Sequence, residues 1–330
     1  MFKKILKWVG ITILVLALIY FLGPKPARPV LSPDLPLVSS NLVQLEKDIQ
    51  ASEATFSLKP DNAARIVWAD TTLKQKTKYS IVYIHGFGAS WAEGDPIHKQ
   101  LAAKYKCNLY LARMYDAGVT SPTAFETLTP ENFVAGAKHA LAVGKALGDS
   151  VIVIGCSAGG LLSTYLAANH PEIKALVLYS PCFAVYKNAL AISTGPWGNQ
   201  LLHTLMGDYR DITHYAPDRA NYWLTRYSTN GLLALQQSMD AIVQRQTFAQ
   251  IKMPVFIGYY YKDEENQDKV VSVDAMLKAF DQLGTPTAQK RKVALPNTGD
   301  HVIASHFTSK DLSSVFNETD KFLIKVVGIK

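Results

Sequence analysis

Val151-Ile152-Val153-Ile154-Gly155-Cys156-Ser157-Ala158-Gly159-Gly160-Leu161-Leu162 is the stretch on which the fold turns. Four consecutive β-branched residues read as a strand buried on both faces. The residues after Ser157 are small and open an apolar helix running from Leu161 to Asn169. Between strand and helix lies Gly155-Cys156-Ser157-Ala158-Gly159, of the form G-x-S-x-G. The pentapeptide alone is weak, since an ordinary Gly-rich turn can match it. Its placement gives it weight. A serine on a sharp strand-to-helix turn needs almost no side chain two residues before and two after, where the elements approach each other. Gly155 and Gly159 meet that demand, and Ser157 is the candidate nucleophile.

Reading outward, Arg65 to Ala69, Ser80 to Ile84, Asn108 to Ala112, Ala175 to Tyr179, Val255 to Tyr259 and Arg291 to Leu295 have strand character. Ser39 to Ser52 (with Ser40 or Asn41 as cap), Glu131 to Leu147 and Asp311 to Val326 have helical spacing. Short apolar strands alternating with helices predict a doubly wound, mostly parallel α/β sheet. From Ala184 to Lys252 the rhythm breaks, over an interval far longer than an ordinary connection. It is rich in helix formers and in Trp197, Tyr209, Tyr215, Tyr222, Trp223 and Tyr227. It reads as an inserted helical cap at about 184–252, with these aromatics as its core.

The chain of 330 residues carries a formal charge of +7. Lys3, Lys4, Lys7, Lys25 and Arg28 supply five of those charges before the first acidic residue, Asp34, leaving +2 for the rest. A nearly neutral folded part without a basic patch argues against nucleic-acid binding. Three lysines precede an apolar run from Trp8 to Leu22, extended by Ile5 and Leu6 if Lys7 snorkels. Gly23 to Pro29 then breaks the helix and reads as a stiff spacer. The chain thus divides into a membrane anchor (1–22), a Pro-rich spacer (23–38) and a catalytic domain (39–330). Leu18-Ile19-Tyr20-Phe21-Leu22 is too bulky for a cleavage site, so a signal anchor is favoured over secretion after cleavage. Lysines before the span place the N-terminus in the cytoplasm and the domain outside it. Cys107, Cys156 and Cys182 have no metal-ligand spacing and read as small buried residues, with one bridge, Cys156 to Cys182, left open.

A serine hydroxyl needs a base to take its proton and donors to hold an oxyanion. Tyr83-Ile84-His85-Gly86-Phe87-Gly88-Ala89-Ser90 follows the first long strand. Its His-Gly turn can aim a backbone N–H into a site, so the oxyanion hole falls to the N–H groups of Phe87 and Ala158. No Lys-Ser/Thr and no G-x-G-x-x-G accompanies the turn, which discounts phosphate binding. After the last strand comes Pro296-Asn297-Thr298-Gly299-Asp300-His301-Val302, making His301 the base, with Asp300 turned elsewhere. His85 reads as shaping the oxyanion turn. The acid should follow Val255 to Tyr259. Asp268, in Asp268-Lys269-Val270-Val271-Ser272 before a helix, is the first choice, and Asp263 the alternative.

The order Ser157, Asp268, His301 resembles that of the α/β-hydrolase superfamily, over about Arg65 to Val326. His85-Gly86-Phe87-Gly88 followed by Ser90-Trp91-Ala92-Glu93 looks like the capped carboxylesterase and monoacylglycerol-lipase type. The chain departs from that pattern in having Cys156 before the serine and in a long acid loop. The resemblance implies an esterase- or lipase-like enzyme without metal or cofactor, acting on a small-molecule or lipid ester. Thioesterase, peptidase or acyltransferase chemistry could use the same residues, and a non-catalytic, membrane-anchored binding protein is the reading from another class.

Overall fold

A computed structural model of the protein describes residues 2–330. In chain order its elements are α1 (Phe2–Phe21), α2 (Leu42–Glu53), β1 (Arg65–Val67), β2 (Thr77–Ile84), α3 (Ile97–Lys104) and β3 (Asn108–Leu111). Next come α4 (Pro130–Leu147), β4 (Gly148–Cys156), α5 (Ala158–Asn169) and β5 (Ala175–Tyr179). The long interval holds α6 (Gly198–Met206), β6 (Tyr209–Asp211), α7 (Pro217–Ala220), β7 (Arg226–Ser228), α8 (Asn230–Ile242) and α9 (Arg245–Gln250). The chain closes with β8 (Val255–Tyr259), α10 (Val273–Gln282), β9 (Lys290–Ala294) and α11 (Leu312–Phe322).

Seven strands form one sheet in the order β1-β3-β2-β4-β5-β8-β9, parallel except for β1 against β3. The strands expected from sequence are all present, with ends shifted by a few residues. β2 and β4 occupy the middle of the sheet and are paired on both sides. Side chains alternate between the two faces of a strand. Val82, Ile84 and Val153 therefore join one core with α4 and α5, while Ile81, Tyr83, Ile152 and Ile154 join another with α3 and α11. Both faces are covered, so the central strands read as unbroken apolar runs rather than as alternation. Helix starts are fixed by their own caps. Asn41 caps α2, Thr129 and Asn132 form a capping box on α4, and Ser272 and Asp311 cap α10 and α11.

The chain leaves β2 for one half of the sheet and returns through β4 to the other half. Ligands of such sheets bind where this reversal opens a crevice at the carboxyl ends of the strands. The β2 and β4 exits lie side by side there because α5 packs directly on the end of β2. A Cβ on Gly159 would sit 2.0 Å from the carbonyl oxygen of Ile84 and 2.6 Å from that of His85.

The Pro-rich segment is laid along the body, and one expectation about the long interval is corrected. Val30 N–H donates to Glu131, Lys138 to the Ser32 carbonyl and Gln237 to the Ala27 carbonyl. Leu31, Leu35 and Val38 pack on the core beneath it. Polyproline backbone has no internal hydrogen bonds, so its carbonyls are open to side chains of the surface it crosses. Among the aromatics of the long interval, Trp223 is buried, but Trp197 is 37% exposed and its indole N–H donates to the Ile19 carbonyl at 3.0 Å. The three cysteines are free and buried, so no bridge joins Cys156 and Cys182. The Cys182 thiol faces the Met239 sulfur at 3.7 Å instead.

Gly159→Ala drives a methyl group into backbone that cannot move without opening the sheet. It should cost about 1–3 kcal/mol or more of stability, the usual range for overpacking. Urea denaturation checks this, and an unchanged midpoint would contradict the tight approach.

Candidate active site

Ser157 stands between the last residue of β4 and the first of α5, with φ 53° and ψ −121°. A non-glycine residue held there stores on the order of 1–3 kcal/mol of backbone strain. Surrounding bonds hold the turn in place. Ser157 N–H donates to the Tyr179 carbonyl at 3.0 Å, and its own carbonyl accepts from Cys182 at 2.9 Å and Leu161 at 3.2 Å. The turn lifts the side chain out of the sheet, where it is 8% exposed. Ala158, as first residue of α5, has an amide with no partner inside its helix.

The loop after β2 runs alongside. His85 is fully buried. Its Nε2 accepts the Met114 N–H at 3.0 Å, so Nδ1 carries the proton and donates to the Gly86 carbonyl at 2.9 Å. Burial pushes its pKa down to about 4, which keeps the ring neutral and this pattern fixed. The Phe87 ring packs on Phe125 and Tyr227, and no hydrogen bond within the described residues uses the Phe87 amide.

His301 lies on the loop after β9, also buried, and its Nδ1 meets Asp268 Oδ2 at 2.6 Å. Asp268 is almost wholly buried, and its other oxygen accepts the N–H groups of Val270 and Val271 at 2.8 and 3.0 Å. The Asp-x-Val-Val sequence thus supplies both the carboxylate and the amides that hold it. Burial pushes the imidazole pKa down, but the charge and hydrogen bond of Asp268 outweigh it and leave His301 raised. His301 Nε2 makes no hydrogen bond among the described residues. Next to it, Val302 packs with Ala89 and Trp223, which draws the His301 loop against the loop after β2.

Asp263, the alternative acid, is elsewhere. It is exposed and accepts the N–H groups of Glu265 and Asn266 in a tight turn of its own. Asp300 accepts the Val302 N–H at 3.0 Å. Ser157, Phe87, Ala158, Asp268 and His301 are gathered at one edge of the sheet; Asp263 is not among them.

The sequence reading gave no role to Glu93, which the structure places behind this site. It sits in the short 3₁₀ turn Trp91–Gly94 and is 2% exposed. Its Oε2 accepts the Gly86 N–H at 2.6 Å and the Tyr83 hydroxyl at 3.2 Å. A Cβ on Gly86 would lie 2.6 Å from Glu93 Oε1 and 2.9 Å from the Ser157 Cβ, so carboxylate, loop and serine are in contact. Burial pushes the Glu93 carboxyl up to about 7, against the Gly86 hydrogen bond, which pulls it down. Burial, and then Glu93, push the Cys156 thiol well above its ordinary range, so it is unreactive. The signal in the sequence was a lone acid in an otherwise uncharged stretch from His85 to Gly94. Among the described residues no three His, Cys, Asp or Glu side chains are grouped to hold a metal ion.

A mostly parallel sheet with a serine on its central strand-to-helix turn and a buried His–Asp pair beside it defines a hydrolase of the α/β type. The chain belongs to the alpha/beta hydrolase family, whose model matches residues 81–311. It is similar in fold to one of the metagenome-derived lipolytic enzymes LipS and LipT, with 15% identity and a TM-score of 0.64 over 82% of this chain and 100% of that one. It also resembles the monoacylglycerol lipase of Paleococcus ferrophilus (14% identity, TM-score 0.56, 81% and 98% covered). A soluble variant of the monoglyceride lipase of Saccharomyces cerevisiae gives 16% identity and a TM-score of 0.55, with 79% and 91% covered. At these identities the likeness is one of fold. No curated protein matches the chain. The protein is an enzyme of the hydrolase class.

Glu93 gives a stability test. The folded carboxyl keeps its proton up to about pH 7, whereas an unfolded one releases it near 4.5. The folded state binds the extra proton across that interval, so Glu93 makes stability fall as pH rises through it. Glu93→Gln can still accept from Gly86 and Tyr83 but cannot ionise. Its urea midpoint should therefore vary less than the wild-type midpoint between pH 5 and 7; identical pH dependence would place the titration elsewhere.

Proposed function

We propose that the protein hydrolyses carboxylic esters through an acyl-enzyme, with Ser157 as nucleophile, His301 as general base and Asp268 as the orienting acid. The buried 2.6 Å contact between His301 and Asp268 beside the strained Ser157 turn carries this reading. Asp268 fixes the imidazole with its proton on Nδ1, which leaves Nε2 as the acceptor a serine hydroxyl needs. Ser157 attacks the ester carbonyl while His301 takes its proton. The amides of Phe87 and Ala158 stabilise the oxyanion, each contributing on the order of 3 kcal/mol to the transition state. His301 then protonates the leaving alcohol and activates water to release the acyl group.

In this reading the interval of about 184–252 is a cap. Leu224 N–H donates to the Gly88 carbonyl at 2.7 Å, and Trp223 lies against Ala89 and Val302. Lys59 donates to the Ala220 and Trp223 carbonyls, tying the same stretch to the body. An apolar, aromatic roof suits an acyl chain, and the lipase and esterase neighbours support an ester over an amide. Helix α1, with 20 residues about 30 Å long and no buried side chain, is long and apolar enough to cross a bilayer. It serves as the anchor of residues 1–22, with the spacer at 23–38, the N-terminus cytoplasmic and the domain 39–330 outside the cytoplasm.

A fluorophosphonate probe should label the wild type and not Ser157→Ala, whose turnover of p-nitrophenyl esters should fall by about 10⁶-fold. Equal labelling would move the nucleophile. A faster reaction with a thioester or peptide amide than with any ester would replace the substrate class.

Asp268→Asn should cost about 10⁴-fold in kcat and Asp263→Asn very little. The raised His301 pKa means that the base is freed only above its ordinary value of 6.5, so kcat/KM should rise with pH through an apparent pKa above 6.5. In Asp268→Asn the raising charge is gone and burial remains, so any residual activity should show that limb at lower pH. An unmoved limb would take His301 out of the base role.

A further inference from the structure

The chain has no slack between α1 and the body. Gly23 packs against the Trp197 indole, the Trp197 amide donates to the Pro24 carbonyl at 2.9 Å, and the indole N–H donates to the Ile19 carbonyl at 3.0 Å. The spacer beyond is laid along the body, as described above. If α1 spans a bilayer, the part of the molecule at Trp197 must sit on that bilayer's surface.

That part is built for such a surface. Trp197 caps the start of α6 in a left-handed conformation, and Leu201 and Leu205, four residues apart, line one face of the helix behind it. They are 37%, 41% and 72% exposed, and Ile192 beside them is 57% exposed. The adjoining face anchors the helix in the protein through buried Leu202. From Asn188 to Gly207 there is no Asp, Glu, Lys or Arg. The charges at the ends of that stretch are Lys187 and Asp208, and Lys25 and Arg28, both exposed on the adjoining spacer, suit anionic headgroups. A Trp at the end of a membrane span lies at headgroup level, and an uncharged amphipathic helix beside it lies in the interface plane. Four side chains, two on α6 and two in the chain just before it, fall well short of the roughly 20–30 residues a side of a stable protein interface.

The geometry points to α6, with Ile192, as a second membrane contact: an interfacial helix that lays the 184–252 interval on the leaflet from which α1 emerges. The occupant of this face is the lipid bilayer. The inference rests on reading α1 as an anchor, and it goes further in giving the enzyme a fixed posture. The residues roofing the site are held at the lipid surface, where an ester with a long acyl chain resides.

The full chain, reconstituted into vesicles of phosphatidylcholine and phosphatidylglycerol, tests this. Leu205→Cys carries a fluorophore, the three native cysteines being buried. Leu73→Cys, at a position 61% exposed in the turn between β1 and β2, is the control. Lipid with a nitroxide on the acyl chain should extinguish most of the emission at 205 and leave that at 73. Full emission at 205 in protein that resists alkaline extraction overturns the docking while the anchor stands. Extraction of the protein at alkaline pH overturns both. A label at 205 that is shielded from iodide yet untouched by the nitroxide lipid means that a second copy covers the face, and also overturns the proposal. As a second readout, Leu201→Glu with Leu205→Glu should slow hydrolysis of an ester embedded in the vesicles several-fold. The same variant should leave kcat/KM for p-nitrophenyl acetate unchanged; equal loss on both esters counts against docking. Absence of turnover with either ester in every variant would sink the ester reading alone, since the quenching result still decides the docking.

Discussion

The close approach of α5 to the end of β2 governs the rest of the structure. At Gly159 the helix backbone lies where any side chain would meet the carbonyls of Ile84 and His85. Contact at that range leaves the chain no room for a relaxed turn between β4 and α5, and Ser157 takes up the difference with φ 53°. The strain is maintained because both flanking elements are fixed, β4 by pairing on two sides and α5 by burial of almost its whole length. The same approach sets the β2 exit loop beside the serine. A turn of strand geometry therefore becomes a candidate site: one constraint raises the hydroxyl and brings the Gly86 turn against it.

The buried ionisable groups around the site, His85, Glu93 and Asp268, each make hydrogen bonds, whereas the Ser90 and Ser180 hydroxyls nearby are buried without a partner. His85 is neutral and spends both ring nitrogens on backbone, one on its own loop and one on Met114. Glu93 accepts the Gly86 amide from below. Asp268 is held by two amides and by His301. Burying these groups is costly unless each hydrogen bond is made, and the bonds they make hold the surrounding loops in place. The two buried acids differ in partner. Asp268 faces an imidazole that takes a positive charge easily, whereas Glu93 faces an amide and a phenol, and burial raises its pKa to about 7.

At the other end of the chain, the contacts of residues 24–38 decide how the body is carried. A proline-rich segment in solution would let the domain range away from an anchor. Here its carbonyls are taken by Gln237, Lys138 and His170, and Leu31, Leu35 and Val38 are pressed onto the core. The tether is short because it is bound. That makes α6, a helix that would otherwise be one exposed turn among many, the neighbour of the N-terminal helix.

Much was legible in the residues themselves. β-branched runs, Gly155 and Gly159 around Ser157, the His-Gly turn and the late His301 each report a local requirement, of strand burial, close approach or loop reach. Local requirements leave local marks, and they were enough for the α/β sheet, its order of elements and the residues gathered at its edge. Asp268 and Asp263 could not be separated in this way, since both follow β8 within a few residues. The choice depends on which carboxylate the return of the chain through β9 brings to His301, a contact across 33 positions of sequence. Glu93 was hidden for a related reason: nothing nearby in sequence says that residue 93 will lie under residue 86 with no water to share. The binding of the spacer and the outward turn of Trp197 likewise depend on surfaces assembled from distant segments. The residues alone were enough for the elements and for the sharp turn at Ser157, because these are set by neighbours along the chain. The pairing of Asp268 with His301, the burial of Glu93 and the contact of Trp197 with the N-terminal helix came from the folded chain alone, because each is set by what packing places next to it.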